Sequence, residues 1–267
     1  MIFLPNAASY LAPITEIERA SQYPYLAPTG GYILDKGKLY TLDQIFLDSC
    51  AELLFDGRTP VLSVGSNRAP SQLFRKFGSD ATIPVTPAIL HDCDVVHTAY
   101  IGYYAAVPCT AFPSIGTKVE LNIAWLDAKQ LIKMHKTEGV GTVYDFVRIT
   151  GIEHQLDVPE QPVYAYVSCF GALDFGDSQP AALAAIDASE RVFPSCDQYN
   201  ALMKVRSLVG VDQSYPMDSF IDNMQQDKSA RENFVAIIRK HRVYPTNPPW
   251  VTLRVEIDGI VPHLRTT

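Results

Sequence analysis

The sequence has few charged residues, and those it has are mostly acidic. Only 19% of its 267 residues are Asp, Glu, Lys or Arg, whereas 47% are hydrophobic. A chain of this composition can bury a core, so an extended, solvated polypeptide is not expected. The formal net charge is −7 and no dense cluster of Lys and Arg is present. Binding to nucleic acid, which normally needs a basic face, is therefore not expected either.

Long apolar runs and paired cysteines are also lacking. No stretch approaches about 18 consecutive apolar residues, and the N-terminal segment lacks a basic start and is interrupted by Pro5 and Asn6. The chain has 5 cysteines, and none of them forms a CxxC pair. An odd number of separated cysteines is typical of a reducing compartment. We therefore expect a cytoplasmic protein that has no membrane partner.

Strand-like segments followed by helix-like segments indicate an α+β protein. Strand character, with many Val, Ile, Tyr and Phe residues, is found in 94–107, 117–126, 143–153, 162–170 and 250–257. Helical patterns are found in 41–55, 127–138, 180–192, 194–208 and 218–241. Thr41 is the expected N-cap of the first helix, and Gly139 is expected to end the second. The arrangement favours a small barrel or closed sheet with flanking helices.

A short apolar run leads into the turn Gly65-Ser66-Asn67, and a helix is predicted to follow from Pro70. The N–H groups at such a turn are unsatisfied donors that bind carboxylate or phosphate. Gly65 would let a ligand approach the backbone closely, and Ser66 and Asn67 can add side-chain hydrogen bonds. No GK[ST] sequence follows, so this is not an ATP-type phosphate loop. Most turns of this kind are structural, and the pattern alone assigns no site.

The helix predicted for 127–138 places a carboxyl group beside its apolar residues. Leu131, Met134, His135 and Glu138 are spaced i, i+3, i+4 and i+7, so they share one face. Burial and the negative end of the helix dipole both disfavour the charged form of Glu138. A carboxyl group poised nearer to neutrality suits a general acid/base. The alternative is a solvated Glu in the last turn of an ordinary helix.

The order of these patterns resembles the γ-glutamylcyclotransferase superfamily. Members typically have a strand ending in YGSN and a helix, then a strand, a helix ending in LDxxEG, a strand with a Tyr, a further strand and a PSxxY helix. The corresponding segments here are VGSNRAPSQLFRKFG, AFPSIGTKVELNIAWLDAKQLIKMHKTEG, VYDFVRI, PVYAYVS and PSCDQYNALMKVRSLVG. The resemblance covers the domain predicted for 58–225. Residues 1–57 are expected to be an N-terminal extension packed on the core, and 226–267 a C-terminal helix and strand extension.

The resemblance implies a fold, an activity and a set of site residues. The family fold is a small mixed β-barrel with flanking helices around one cavity. Family enzymes release a γ-glutamyl group as 5-oxoproline, with no metal or organic cofactor. By position, Glu138 matches the catalytic acid/base and Tyr199 matches a Tyr that lines the pocket. The segment that binds the glutamyl head group matches Leu62, Ser63, Val64, Gly65 and Ser66.

The expected partner is therefore a small-molecule substrate, whose carboxylate the N–H groups from Gly65 to Asn67 would hold. Three departures from the family pattern bear on its identity. Val64 replaces the family Tyr, His135 replaces the Asp of LDxxEG, and Leu121 stands where a small residue is usual. An alternative is a non-catalytic member that binds a small acidic metabolite. It is favoured if Val64 or Leu121 fills the space between Glu138 and Gly65. The oligomeric state is not predicted.

A metalloenzyme is a third hypothesis, and it rests on the run HDCDVVH. This run contains metal-ligand types at His91, Asp92, Cys93, Asp94 and His97. Strand alternation would place His91, Cys93 and His97 on one face but far apart. Surface and core roles are therefore favoured for these residues, and no metal is expected. A serine hydrolase is not favoured, because the sequence has no GxSxG.

Overall fold

A computed structural model describes residues 2–255 of the chain and confirms an α+β protein. The helices in this part are α1 Ala7–Tyr10, α2 Glu16–Ser21, α3 Gln44–Phe55, α4 Pro70–Phe77, α5 Ala128–Glu138, α6 Gln198–Leu208, α7 Met217–Gln226 and α8 Lys228–Ile238. The strands are β1 Gly31–Asp35, β2 Lys38–Leu42, β3 Thr59–Ser63, β4 Thr82–His97, β5 Cys109–Leu126, β6 Tyr144–Ile149, β7 Ile152–His154, β8 Val163–Ser168, β9 Ala172–Leu173, β10 Ala182–Leu183, β11 Ala188–Ser189, β12 Ser195–Cys196, β13 Arg242–Val243 and β14 Trp250–Thr252.

Within the described residues, 12 strands form one mixed sheet in the order β12-β10-β4-β5-β3-β8-β6-β14, with β1, β2, β7 and β11 off this path. The long strands β4 and β5 pair antiparallel from Val85↔Ala124 to His97↔Cys109. Strand β3 is antiparallel to β5 and parallel to β8. The closed barrel expected from the sequence is not found in this part of the chain. The β4–β5 pair is long enough for several short strands to join its edges, so the sheet extends instead of closing.

The N-terminal segment is part of the same sheet and core. Strand β1 pairs with β4 through Tyr32↔Val85 and its neighbours. Tyr23 and Leu47 are buried in the main core beside residues of β4 and β5. At its centre Trp125 is fully buried and donates its indole N–H to Thr86 Oγ1 at 2.9 Å. Residues of the N-terminal segment therefore share the sheet and the main core with β4 and β5.

Most of the predicted helices are found, but one expected cap and one expected helix are wrong. Helix α5 begins after Asp127, whose side chain accepts the N–H of Gln130, and ends at Gly139, which is left-handed with φ 61. The expected cap Thr41 is wrong, because it lies in β2, and the side chain of Asp43 accepts the N–H of Phe46. The helix predicted for 180–192 is also wrong. Its backbone bonds to neighbouring strands instead, as in the hydrogen bond from Ala182 N to Pro194 O.

Helices α6, α7 and α8 form a second core with the loop of residues 98–108. Phe220, Ile221 and Leu202 are buried there against Ile101 and Ala105. The last predicted strand is shorter than expected at β14, and its part from residue 256 onward lies outside the described residues. No helix within 2–255 is long and apolar enough to cross a membrane.

Candidate functional site

A cavity of about 350 Å³ lies where five parts of the fold meet. They are the N-terminal segment around α2, the turn after β3, helix α4, the 98–108 loop and the end of α5 with the strands that follow it. The lining residues include Arg19, Tyr23, Leu62, Val64, Gly65, Ser66, Asn67, Arg75, Lys76, Tyr100, Tyr103, Tyr104, Cys109, Lys136, Glu138, Tyr144 and Tyr166. The two sequence patterns, the GSN turn and the end of α5, therefore share one cavity.

Glu138 faces the GSN turn across this cavity. Its Oε1 accepts a hydrogen bond from Asn67 Nδ2 at 3.2 Å and forms an ion pair with the Lys76 ammonium. The side chains of Lys76 and Glu138 are only 9% and 12% exposed. The cap at Asp127 and the left-handed Gly139 fix the last turn of α5, so they hold the carboxyl group in this position.

Lys76 is a site residue that sequence reasoning missed. It lies near the C-terminus of α4, and its ammonium also donates to Met134 Sδ at 3.3 Å. This ammonium places a positive charge directly against the Glu138 carboxylate inside the cavity. No local pattern marks Lys76, because α4 and α5 are brought together by tertiary packing alone.

Gly65 is required by the protein's own packing rather than by a ligand. Its φ is −128, outside the left-handed region. A Cβ there would overlap Tyr23 Oη and lie 2.7 Å from Cys109 Sγ. Tyr23 Oη lies 3.2 Å from Cys109 Sγ and accepts the Cys109 N–H at 3.2 Å. The space that was expected to admit a substrate next to the glycine is thus occupied by a side chain of the N-terminal segment.

The thiol and hydroxyl groups around the cavity are held in their neutral forms. Burial raises the pKa of Cys109 to about 12, so this thiol is not poised as a nucleophile. Burial, and next the charge of Glu138, raise the pKa of Tyr144 and Tyr166 well above the usual range. Burial does the same to Tyr104, with a smaller contribution from Glu138. These hydroxyl groups therefore remain hydrogen-bond donors near neutral pH.

His135, which replaces the family Asp, has a packing role. Its Nδ1 lies 2.8 Å from Tyr166 Oη, and its ring lies edge-on to Phe146 with centroids 4.7 Å apart. Burial lowers the pKa of this imidazole, which favours its neutral form. His135 thus packs α5 against β6 and β8, and it is not among the residues that line the cavity.

Most of the predicted site residues meet in the cavity, and two do not. Leu62, Val64, Gly65, Ser66, Asn67 and Glu138 all line it. Ser63 is buried and does not line the cavity, because successive side chains of a strand point to opposite faces. Tyr199 lies in the first turn of α6, is 53% exposed and is not among the lining residues. Leu121 is buried in the core and does not line the cavity either.

The metal-ligand residue types of the run HDCDVVH do not form a cluster in the structure. Asp92 has a left-handed φ of 56 at a bulge that breaks the expected alternation of β4. His91 pairs with Glu153, and the buried Asp94 pairs with Arg191. His97 Nε2 lies 3.0 Å from the Cys196 carbonyl oxygen. Across residues 2–255, no group of three or more His, Cys, Asp or Glu side chains is arranged to hold a metal ion.

The cavity is cationic. Arg19, Arg75, Lys76 and Lys136 line it, and Glu138 is the single carboxylate among its described lining residues. Such a lining suits an anionic ligand. Comparison of the chain with protein-family models, curated proteins and solved structures found no match.

Proposed function

We propose that this protein is a γ-glutamylcyclotransferase-like enzyme that cyclises a γ-glutamyl substrate and releases 5-oxoproline. The observation that carries the proposal is that Glu138 and the GSN turn line the same cavity, where Asn67 Nδ2 donates to Glu138 Oε1 at 3.2 Å. We also propose that the mixed sheet is a variant of the family's barrel, because β3, β5, β6 and β8 surround the site in the order that the resemblance implies. A cytoplasmic location remains part of this proposal.

The proposed substrate places its glutamyl carboxylate near the GSN turn. In the described residues, the N–H groups of Ser66 and Asn67 donate to no protein acceptor. Arg75 adds a positive charge to the same cavity, and its Nη1 donates to the neutral Gln72 Oε1 at 2.7 Å. Charge-assisted hydrogen bonds of this kind are the stronger ones in proteins, so they can orient a small carboxylate.

The proposed reaction needs one proton carrier and no water. The α-amine of the substrate, with an ordinary pKa of about 7.7–8.0, gives a proton to Glu138. Its nitrogen then forms a bond to the γ-carbonyl carbon, the bond from that carbon to the leaving nitrogen breaks, and Glu138 gives the proton to the leaving nitrogen. The ring nitrogen releases its second proton to Glu138, which passes it to the departing amine, so that the products are 5-oxoproline and an ammonium ion. Because both reacting groups belong to one molecule, holding the folded conformer supplies much of the rate. Lys76 supports this role by position, since its ion pair and the hydrogen bond from Asn67 hold the Glu138 carboxyl group at the cavity.

The second candidate is a protein that binds a small acidic metabolite without turnover. The observation in its favour is the same ion pair, because the Lys76 ammonium and Asn67 Nδ2 both contact Glu138 Oε1, an oxygen that would have to accept the substrate's proton. Against it, Leu121 does not reach the cavity, and Val64 lines the cavity without closing it.

A substrate panel with paired variants tests the proposal. Purified protein is incubated with γ-glutamyl amino acids and γ-glutamyl amines, and 5-oxoproline is measured by mass spectrometry. The wild type should release it, and Glu138→Gln should lower the rate by about 10²–10⁴-fold. The control is Glu120→Gln, which alters an exposed carboxylate on β5 outside the cavity. Binding of these compounds without any product would favour the second candidate, and equal rates in both variants would contradict a role for Glu138.

A further inference from the structure

A second cavity, of about 410 Å³, adjoins the first. It lies between helix α8 and the 98–108 loop, and its lining includes Lys228, Arg231, Glu232 and Arg239. Tyr100 and Tyr103 line both cavities, so these side chains form part of the wall between them. The γ-glutamylcyclotransferase resemblance does not account for α8, which belongs to the predicted C-terminal extension.

The N-terminal extension and helix α7 both contact the loop that forms the wall between the cavities. Arg19 of α2 donates to Tyr103 Oη, and its guanidinium lies 5.0 Å from the centroids of the Tyr103 and Tyr104 rings. Gln225 of α7 donates to the carbonyl oxygens of Glu16 and Tyr104, at 2.8 and 3.0 Å. The 98–108 loop is therefore held in place by contacts from α2 and α7.

The second cavity is cationic like the first. Its described lining holds three basic side chains and one carboxylate, Glu232, which pairs with Lys228 at 3.6 Å where both are mostly exposed. Arg239 stacks on Phe170 at 3.8 Å from the ring centroid, and Arg231 donates to the Met224 carbonyl oxygen. Burial raises the pKa of Tyr100, and the charges of Arg231 and Arg239 oppose that rise, so both act at the shared wall.

We infer that the second cavity is the subsite for the leaving group and takes an anionic group carried by it. The γ-glutamyl head would lie in the first cavity beside Glu138 and the GSN turn, and the leaving portion would extend past Tyr103 and Arg19 towards Lys228 and Arg231. This inference rests on the proposed function and narrows the substrate to γ-glutamyl compounds whose leaving amine bears an additional carboxylate. A leaving group with a positive charge would meet net repulsion there.

A pair of nearly isosteric substrates isolates this charge. γ-Glutamyl-glutamate and γ-glutamyl-glutamine differ in the leaving group only by a side-chain carboxylate against an amide. Wild-type kcat/KM should favour γ-glutamyl-glutamate by about 3–10-fold, as for a partly exposed ion pair. Lys228→Glu should abolish or reverse the preference, and Arg231→Gln should reduce it. The control Lys133→Glu makes the same charge change on the exposed face of α5 and should leave the ratio unaltered.

The results of this experiment distinguish failure of the subsite from failure of the proposed function. Arg231→Gln also removes the hydrogen bond to Met224, so the exposed Lys228 carries the test if that variant is unstable. A wild type without preference, or a Lys228→Glu variant that slows both substrates equally, would overturn the subsite. If neither substrate yields 5-oxoproline, the proposed function fails, and calorimetry with the same two peptides then tests the subsite alone. Tighter binding of γ-glutamyl-glutamate that Lys228→Glu removes would support it, and equal binding would refute it.

Discussion

Gly65 and Tyr23 pack so closely that a side chain added at position 65 should destabilise the fold. Gly65→Ala would place a Cβ over Tyr23 Oη and 2.7 Å from Cys109 Sγ, whereas Tyr23 Cζ would be 3.4 Å away. The hydroxyl oxygen is thus the principal obstacle, and the ring behind it is at ordinary contact distance. Overpacking of a buried site typically costs about 1–3 kcal/mol. The gain from restricting the unfolded chain, about 0.4–1 kcal/mol, does not offset it.

Tyr23→Phe removes that obstacle together with the contacts of Oη to Cys109. We expect this change alone to cost about 1 kcal/mol, the net worth of a typical hydrogen bond. In the Tyr23→Phe background, Gly65→Ala should cost about 1 kcal/mol less than in the wild type, because only the Cys109 contact remains. The double variant should therefore be more stable than the sum of the single changes suggests.

Urea denaturation of the four proteins measures this coupling, provided that the slope of the unfolding free energy with urea is unchanged. Gly30→Ala is the control, since Gly30 is exposed and a Cβ there meets nothing within 4 Å. It should leave stability nearly unaltered. Additive costs in the double variant, or a Gly65→Ala protein as stable as the Gly30→Ala protein, would refute the packing of Tyr23 against the GSN turn.

Three further variants test buried titratable and charged side chains in the fold. Burial lowers the pKa of His97, so below about pH 6.5 the unfolded chain binds a proton more readily than the folded protein does. The free energy of unfolding should therefore decrease as the pH falls below that value, by up to about 1.4 kcal/mol per pH unit. His97→Phe should flatten this pH dependence in urea titrations, and an unchanged pH dependence would contradict the prediction. Arg191→Gln should cost about 3–5 kcal/mol in urea denaturation, because it leaves the fully buried Asp94 unpaired, and a loss below about 1 kcal/mol would count against that pair. Lys76→Met should lower the free energy of unfolding by on the order of 2–4 kcal/mol in the same assay, because it breaks the ion pair with Glu138. Combining it with Glu138→Gln should cost less than the sum of the two single losses, and strictly additive losses would mean that the two side chains do not interact.

The sequence predicted what depends on neighbouring residues. Asp127 and Gly139 are strong local signals, and they bound α5 and so place Glu138 correctly at its last turn. The GSN turn was placed correctly for the same reason, because a strand ends at Ser63 and α4 starts with Pro70. These two elements are most of what the candidate site needs.

The rest depends on contacts between distant segments. The Ala-rich stretch 180–192 was predicted to be helical from its residue propensities. These favour a helix by about 0.5 kcal/mol per residue, and pairing with β4, β5 and β12 outweighs them. Lys76 reaches Glu138 across two helices, and Arg19 and Tyr23 reach the cavity from the N-terminal segment. None of these contacts between distant residues follows from a periodicity or a residue spacing in the sequence.

Product analysis in oxygen-18 water tests the central claim, cyclisation by Glu138, most directly. Cyclisation consumes no water, so the wild type should release 5-oxoproline and the free leaving amine in equal amounts, with no heavy oxygen in either. Hydrolysis would instead give glutamate with one heavy oxygen in its γ-carboxylate. We expect unlabelled 5-oxoproline from the wild type and almost none from Glu138→Gln. Labelled glutamate as the main product, or 5-oxoproline formed equally by both proteins, would contradict the account.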